Sequence, residues 1–282
     1  MNINKMAMDE LLKNALKEDI GTGDITTSAT VLADKSVRGR FVAKADGIIC
    51  GLFVCERVFE LIDDKISFSA SKKDGEAVRA GEEFAQVSGN AQSLLTGERT
   101  ALNFLQRLSG IATKTAKTIE SLAGFDVLVA DTRKTTPGLR IFEKYAVKTG
   151  GGTNHRFNLS DGILIKDNHI AAAGGIAKAV ALAKKNAPHT LKIEVECENL
   201  DDVAEALLAG ADIIMLDNMS LPQMKAAVEL IGGRAKTEAS GNMGEKDLCE
   251  IAKTGVDIIS IGALTHSAGA LDISLKFCDY GL

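Results

Sequence analysis

The sequence has no tryptophan, only three prolines, and 4% aromatic residues among its 282 residues. It also lacks a long apolar stretch, because its longest uncharged run, 258–271, is too short to span a bilayer. Residues 1–18 alternate charged and apolar side chains and therefore lack the continuous apolar core of a signal peptide. We expect a soluble, cytoplasmic protein that has no membrane partner.

Several classes of site are missing as well. The five cysteines, at positions 50, 55, 197, 249 and 278, show no metal-ligand spacing, so we expect reduced thiols. A net charge of −5 argues against wholesale binding to nucleic acid. No Gly-x-Gly-x-x-Gly follows a first strand, and no spacing indicates a Ser-His-Asp arrangement. What is present, 45% apolar and 25% charged residues, is typical of a globular protein and excludes a disordered or fibrous one.

The first third of the chain predicts a small mixed α/β layer. From Thr30 to Gly89, short β-prone runs are separated by turns such as Asp74-Gly75. A helical stripe around Leu11–Leu16 precedes these runs, and a second one begins at Thr100.

From about Ser109 onward, short apolar runs alternate with helical patterns. The candidate strands are Val127–Ala130, Tyr145–Val147, Ile163–Ile165, Ile193–Val195, Ile213–Leu216, Ala235–Thr237 and Ile258–Ile261. The candidate helices between them are Ala171–Asn186, Leu200–Ala209, Leu221–Ile231 and Lys246–Thr254. This alternation requires parallel strands with crossover helices. About seven strands favour a closed or nearly closed α/β barrel over an open sheet.

Polar or glycine-rich clusters follow six of these apolar runs. The clusters are Asp131–Thr136, Lys166–His169, Glu194 with Glu196, Asp217–Asn218, Glu238–Asn242 and Ser260–Ala263. Because the carboxyl ends of barrel strands meet at one mouth, where ligands bind, we expect these clusters to form a single site.

The charge distribution predicts what this site binds. Residues 131–169 contain seven basic and four acidic side chains, a net charge of +3 within an acidic chain. Arg133 and Lys134 directly follow a strand, and paired Arg and Lys recognise carboxylate and phosphate. His155 and Arg156 follow the run Gly150–Gly152, where a flexible backbone lets a ligand approach closely. We therefore predict a small polyanion as ligand.

Acidic and glycine-rich strand ends complete the predicted site. Glu196 and Asp217 end successive strands and together suit Mg²⁺, which takes one or two carboxylates plus phosphate oxygens. The alternative is an internal ion pair with Lys166 or Arg133. For Glu194 the sequence does not decide between metal binding and an ion pair. Ser240–Asn242 and Gly262–Ala263 offer backbone amides to a phosphate. A lysine that ends a barrel strand can also form a Schiff base, so Lys166 leaves that chemistry open.

The motifs along nearly the whole chain resemble the quinolinate phosphoribosyltransferase family. The matching segments are Glu18–Thr27, Gly97–Asn103, Asp131–Arg140, Glu143–Val147, Gly150–Gly152, Asn154–Arg156, Leu164–His169 and Ala263–Ser267. The resemblance implies an α/β sandwich over residues 1–109, to which residues 272–282 return, and an incomplete α/β barrel of about seven strands over 110–271. It also implies a homodimer with sites shared between subunits, and leaves open whether dimers assemble further.

The resemblance also implies roles for individual residues. Arg99 would reach quinolinate from the neighbouring subunit, and Arg133, His155, Arg156 and Lys166 would surround its two carboxylates. Lys134 would bridge toward phosphoribosyl pyrophosphate, Glu196 and Asp217 would serve the ribose and Mg²⁺, and the phosphate would lie on Ser240, Gly241, Gly262 and Ala263. Lys134, Lys166, Glu196 and Asp217 are the expected catalytic residues. The expected reaction is phosphoribosyl transfer to quinolinate with loss of CO₂, in NAD biosynthesis.

Three rival functions remain to be distinguished. A related pyrophosphorylase-like protein associated with molybdate transport shares the architecture, but the run from Asp131 to Gly138 fits the quinolinate enzymes better. A Schiff-base aldolase that uses Lys166 and a non-catalytic nucleotide-phosphate sensor are the other two.

Overall fold

The structure is a computed structural model, and it describes residues 3–278. The chain forms two compact units. The first comprises the residues up to Ala116, Thr136–Gly151 and the residues from Ala268 onward. The second comprises Lys117–Thr135 and Gly152–Ser267.

The described residues form strands and helices that we number in chain order. The strands are β1 (Ser36–Ala43), β2 (Gly47–Ile48), β3 (Ser67–Ala70), β4 (Ala77–Val78), β5 (Glu83–Asn90), β6 (Leu128–Ala130), β7 (Ile163–Ile165), β8 (Ile193–Cys197), β9 (Ile213–Asp217), β10 (Lys236–Ser240), β11 (Ile258–Ser260) and β12 (Ile273–Cys278). The helices are α1 (Lys5–Ile20), α2 (Ile25–Thr30), α3 (Leu52–Ile62), α4 (Ala91–Ser121), α5 (Arg140–Thr149), α6 (Asp167–Ala173), α7 (Ile176–Asn186), α8 (Leu200–Ala209), α9 (Leu221–Ile231), α10 (Leu248–Ala252) and α11 (Ala263–His266). No helix among residues 3–278 has the length and apolar character needed to cross a membrane.

The first unit is built on an antiparallel sheet with the strand order β12-β1-β5-β3. One face is apolar because alternate residues of β1 and β5 point to the same side. Phe41, Phe59 and Phe84 are fully buried on this face. The ring centroid of Phe41 lies 6.4 Å from that of Phe59 and 6.2 Å from that of Phe84. Of the predicted returning segment 272–282, β12 pairs with β1, and residues 279–282 lie outside the described residues.

The second unit is an incomplete α/β barrel of parallel strands. Its sheet order is β6-β11-β10-β9-β8-β7, so the first strand of the unit in sequence pairs with the last. That pairing is what closure of a barrel requires. Ala130 of β6 also makes a single parallel bridge to Thr153. The expected α/β barrel is thus confirmed, with six strands and one bridge.

One predicted strand is wrong. Tyr145–Val147 lies within helix α5, in the first unit. Phe142 and Glu143, with Ala146 and Val147 one turn later, are buried on one side of this helix, so the apolar pattern has the helical period. The missing strand position beside β6 is taken instead by Thr153.

Candidate active site

A cavity of about 490 Å³ opens at the carboxyl ends of the barrel strands. Every one of the six strands, or the loop that follows it, contributes residues to the lining. Charged and polar side chains dominate this lining, and Leu164 and Met215 add apolar surface. The strand ends therefore converge on one pocket, as the sequence pattern predicted.

Four cationic side chains line the cavity. They are Arg133, Lys134, Arg156 and Lys166. Burial and the nearby charge of Arg133 lower the pKa of Arg156, while Glu194 opposes that shift. Two guanidinium groups placed close together repel each other unless an anion lies between them. This concentration of positive charge makes the cavity a site for a multiply charged anion.

The loops that hold these cations are anchored to neighbouring strands. Thr265 Oγ1 donates to the carbonyl oxygen of Lys134 at 2.8 Å, which ties the loop after β6 to helix α11. Arg156 Nη1 donates to the carbonyl oxygen of Gly162 at 3.0 Å. These bonds restrict both loops, so the cations are held in place before a ligand binds.

Two strand-end carboxylates line the same cavity as the cations. Glu196 of β8 forms an ion pair with Lys166, while Asp217 at the end of β9 accepts a hydrogen bond of 2.6 Å from Asn218 Nδ2. The ion pair with Lys166 is the alternative that the sequence left open for Glu196. Both acids line the cavity, so their oxygens remain available as hard ligands for a divalent cation.

The tips of β9 and β10 are locked together at Gly241. Its φ is +94°, and a Cβ at this position would lie 2.1 Å from Asn218 Oδ1. The backbone N–H of Asn218 donates to the Ser240 carbonyl oxygen at 3.1 Å. Only glycine fits this conformation and this contact, so the backbone at position 241 borders the cavity without a side chain of its own.

His155 lies between two buried acids. Its Nε2 is 3.1 Å from Glu194 Oε2 and 3.5 Å from Glu238 Oε1, and its Nδ1 accepts from the backbone N–H of Arg156 at 2.7 Å. Asp131 Oδ1 accepts from the backbone N–H of His155 at 2.9 Å and thereby fixes the loop. Burial, followed by the charge of Glu194, raises the pKa of Glu238 to about 7, although His155 opposes that rise.

Comparison with known proteins shows which family the chain belongs to. Residues 24–109 match the domain described as Quinolinate phosphoribosyl transferase, N-terminal domain, and residues 111–276 match the C-terminal domain of the same description. The chain belongs to the quinolinate phosphoribosyltransferase family. The family resemblance seen in the motifs is thus confirmed.

Individual relatives of the quinolinate phosphoribosyltransferase family match over nearly the full chain. A probable nicotinate-nucleotide pyrophosphorylase [carboxylating] of Bacillus subtilis (strain 168) is 46% identical, over 97% of this chain and 94% of its own length. The chloroplastic nicotinate-nucleotide pyrophosphorylase [carboxylating] of Arabidopsis thaliana is also 46% identical, over 94% of this chain and 81% of its own. The structure of the Francisella tularensis nicotinate-nucleotide pyrophosphorylase superposes with a TM-score of 0.94 at 42% identity, over 98% of both chains.

Most residues predicted from the sequence lie together in this cavity. The cavity is lined by Arg133, Lys134, His155, Arg156, Lys166, Glu196, Asp217, Ser240 and Gly241. Gly262 adjoins Lys134, because a Cβ on Gly262 would lie 3.1 Å from Lys134 Cδ, and Ala263 begins the four-residue helix α11. Arg99 is exposed on α4 in the first unit and is not among the described residues that line the cavity.

The sequence analysis placed Glu238 in a strand-end cluster without assigning it a role, and it left Glu194 undecided. Residues two apart on a strand share a face, so Glu194 lies on the same side of β8 as Glu196, and Glu238 on the same side of β10 as Ser240. That period of two was the available signal. Glu238 lines the cavity although it lies one step below the tip of β10, whereas Glu194 is not among the described residues of the lining.

Proposed function

We propose that the protein transfers the phosphoribosyl group of phosphoribosyl pyrophosphate to quinolinate with loss of CO₂, which gives nicotinate mononucleotide and pyrophosphate. The main supporting observation is the single cavity in which four cations and two strand-end carboxylates come together. Quinolinate is a dianion, and the donor is a polyanion that leaves as pyrophosphate. Family relatives with nicotinate-nucleotide pyrophosphorylase and quinolinate phosphoribosyltransferase names support the same reaction.

We assign quinolinate to the cationic side of the cavity. Arg133, Arg156 and Lys166 would bind its two carboxylates, and each charge-assisted contact contributes about 1.5–3 kcal/mol. His155 lines the same space, but both of its ring nitrogens already contact protein groups. A direct contact of His155 with substrate would require the ring to exchange one of these partners, so we expect its main role to be support of Arg156.

We assign the phosphoribosyl donor to the strand tips opposite. The 5′-phosphate would accept hydrogen bonds from the backbone around Ser240, Gly241, Gly262 and Ala263. The helical turns that follow have only three and four residues, so individual amides rather than a helix dipole would bind the phosphate. Lys134, which adjoins Gly262, would reach the pyrophosphate.

Glu196 and Asp217 would hold Mg²⁺ beside the ribose hydroxyls and the pyrophosphate. Their carboxylate oxygens are the hard donors that this ion prefers, together with phosphate oxygens of the donor. The ion would supply charge neutralisation of the leaving pyrophosphate. Because Lys166 pairs with Glu196 in the described geometry, quinolinate must draw Lys166 away from Glu196 as it binds.

These residues support the reaction in a simple order. Loss of pyrophosphate builds positive charge on the sugar, which Glu196 and Asp217 favour electrostatically. The pyridine nitrogen of quinolinate then bonds to the ribose and becomes cationic. That ring cation stabilises the electron pair left on the neighbouring carbon when CO₂ departs. Arg and Lys around the ring hold the diacid without taking the electron pair of the pyridine nitrogen.

We also propose a homodimer in which Arg99 of one subunit completes the site of the other. Arg99 is exposed on α4, as a residue that acts on a partner must be before assembly. We propose a cytoplasmic location, because the five cysteines are free thiols, as a reducing compartment favours.

One assay tests the proposed reaction. The purified protein is incubated with quinolinate, phosphoribosyl pyrophosphate and Mg²⁺, and the release of CO₂ and of pyrophosphate is measured. We expect equal amounts of both, and neither when one substrate is omitted. Binding of the substrates without turnover would favour the sensor. Trapping of Lys166 by borohydride with a carbonyl substrate would favour the aldolase, although the ion pair with Glu196 engages the amine that an aldolase needs.

A further inference from the structure

Glu238 is a buried acid that reaches the cavity from the interior of β10. The residue is 2% exposed, yet its side chain lines the cavity two positions before Ser240. Its Oε1 accepts a hydrogen bond from Ser260 Oγ and lies 3.5 Å from His155 Nε2. Because Oε1 accepts from Ser260, a proton on Glu238 would be carried by Oε2.

The groups around Glu238 favour its neutral form. The titratable and charged groups that face it are Glu194 from β8, Lys166 after β7, and His155 from the loop after Thr153. Burial and Glu194 raise the pKa of Glu238 to about 7, whereas His155, Ser260 and Lys166 act in the opposite direction. At neutral pH a large share of Glu238 therefore retains its proton.

The proposed reaction consumes one proton, and the role that we infer for Glu238 rests on that reaction. When the 2-carboxylate leaves as CO₂, the electron pair of the broken C–C bond stays on C2 of the pyridine ring and must take up H⁺. Arg133 and Arg156 do not give up protons in proteins. Lys166 is assigned to the carboxylates of quinolinate, and its cationic form is the one that binds them. An acid whose pKa is near the working pH is the best suited donor.

We propose that Glu238 is the general acid that protonates C2 after CO₂ has left. The C–C bond to the carboxylate breaks and CO₂ departs. The electron pair takes the proton of Glu238, a C–H bond forms, and Glu238 is left as a carboxylate. Solvent returns a proton to it after the product has left. Ser260 and His155 act as positioning residues, because both contact Oε1. The neutral acid also avoids repulsion of the incoming quinolinate.

The test separates the two halves of the reaction. Glu238→Gln keeps the size of the side chain and the acceptor for Ser260 but has no acidic proton. In a single turnover we expect quinolinate affinity and pyrophosphate release to keep their wild-type values. Formation of nicotinate mononucleotide should slow by about 10²–10⁴-fold, the usual contribution of a general acid, and the ribosylated diacid should accumulate. Glu238→Asp, which retains an acid, should recover part of the rate.

Glu194→Gln is the matched control, since Glu194 is a buried acid on the adjacent strand and is not among the described residues that line the cavity. At acidic pH, where Glu238 stays protonated in both proteins, we expect this variant to form pyrophosphate and nicotinate mononucleotide at equal rates. Without the charge of Glu194, the pKa of Glu238 falls, so the alkaline loss of turnover should begin at a lower pH than in the wild type.

Three results would overturn the role of Glu238. In the first, Glu238→Gln forms the decarboxylated product as fast as it releases pyrophosphate. In the second, it slows both steps by the same factor while circular dichroism shows a native fold. In the third, Glu194→Gln uncouples the steps in the same way at acidic pH, where Glu238 stays protonated. A wild-type protein that makes neither product would instead overturn the proposed function.

Discussion

Arg133 and Arg156 illustrate how single residues define the ligand of this site. Both line one cavity, and burial, followed by the charge of Arg133, lowers the pKa of Arg156. Placing two like charges together costs free energy in the empty protein. A bound dianion reverses that cost, so each guanidinium contributes more to binding than an isolated surface arginine would.

Replacing one of these groups should weaken quinolinate binding selectively. For Arg133→Ala we expect a dissociation constant roughly ten- to hundredfold higher, which corresponds to the loss of one charge-assisted contact. Isothermal titration calorimetry with quinolinate measures the change, and circular dichroism checks the fold. Arg234→Ala is the control, because Arg234 is exposed just before β10, at the opposite end of that strand from the site. Near-wild-type affinity of Arg133→Ala would remove Arg133 from the quinolinate site.

At the scale of elements, the tips of β9 and β10 depend on glycine at position 241. An added Cβ would meet Asn218 at 2.1 Å, and a positive φ disfavours any other residue. Gly233 provides a matched comparison, since its φ is +75° and no atom lies within 4 Å of an added Cβ. The two positions differ mainly in the steric contact.

We therefore expect Gly241→Ala to be more destabilising than Gly233→Ala. Positive φ alone costs about 1–3 kcal/mol in each variant, and the clash with Asn218 adds to this at position 241. Thermal unfolding followed by circular dichroism should show a larger decrease in Tm for Gly241→Ala, at about 2–4 °C per kcal/mol. Affinity for phosphoribosyl pyrophosphate should fall for that variant alone. Equal effects of the two substitutions would mean that the Asn218 contact does not constrain the tip.

The elements that the sequence predicted best are those with explicit end signals. The bounds of α8 and α9 agree with the prediction, because Asn199 caps the start of α8 and Gly210 and Gly232 end the two helices in left-handed conformations. The predicted helix 171–186 is divided instead, since Gly174 and Gly175 both have positive φ between α6 and α7. From the sequence alone, two adjacent glycines do not show whether a helix continues through them or ends there.

Other elements could not be read from local patterns. Helix α3 was missed because the apolar residues of Leu52–Ile62 are partly β-branched and follow a region of short strands, although they recur with helical spacing. The strand-end cations were predictable because strand ends in a barrel converge. The pairing of Lys166 with Glu196, and the contact of His155 with Glu194 and Glu238, depend on strand order, which no single segment specifies.

At the scale of the whole molecule, charge is unevenly distributed. The chain has a net charge of −5, but residues 131–169 have a net charge of +3, and four basic side chains line one cavity. A cationic pocket in an acidic protein attracts small anions while the remaining surface repels large ones such as nucleic acid. Arg99 is exposed and lies outside that cavity, and the proposed dimer gives it a role in the partner's site.

Complementation between two inactive variants tests this dimer. Arg99→Ala should remove the residue donated to the partner's site, whereas Arg133→Ala should disable the variant's own site. Each homodimer should therefore be nearly inactive. In a heterodimer purified through two different tags, one site would lack both residues and the other would be intact, because the symmetric interface exchanges Arg99 between subunits. We expect this heterodimer to recover about half of the wild-type CO₂ release. A heterodimer as inactive as its parents would show that each site uses the Arg99 of its own chain, and a fully active Arg99→Ala homodimer would exclude Arg99 from the site.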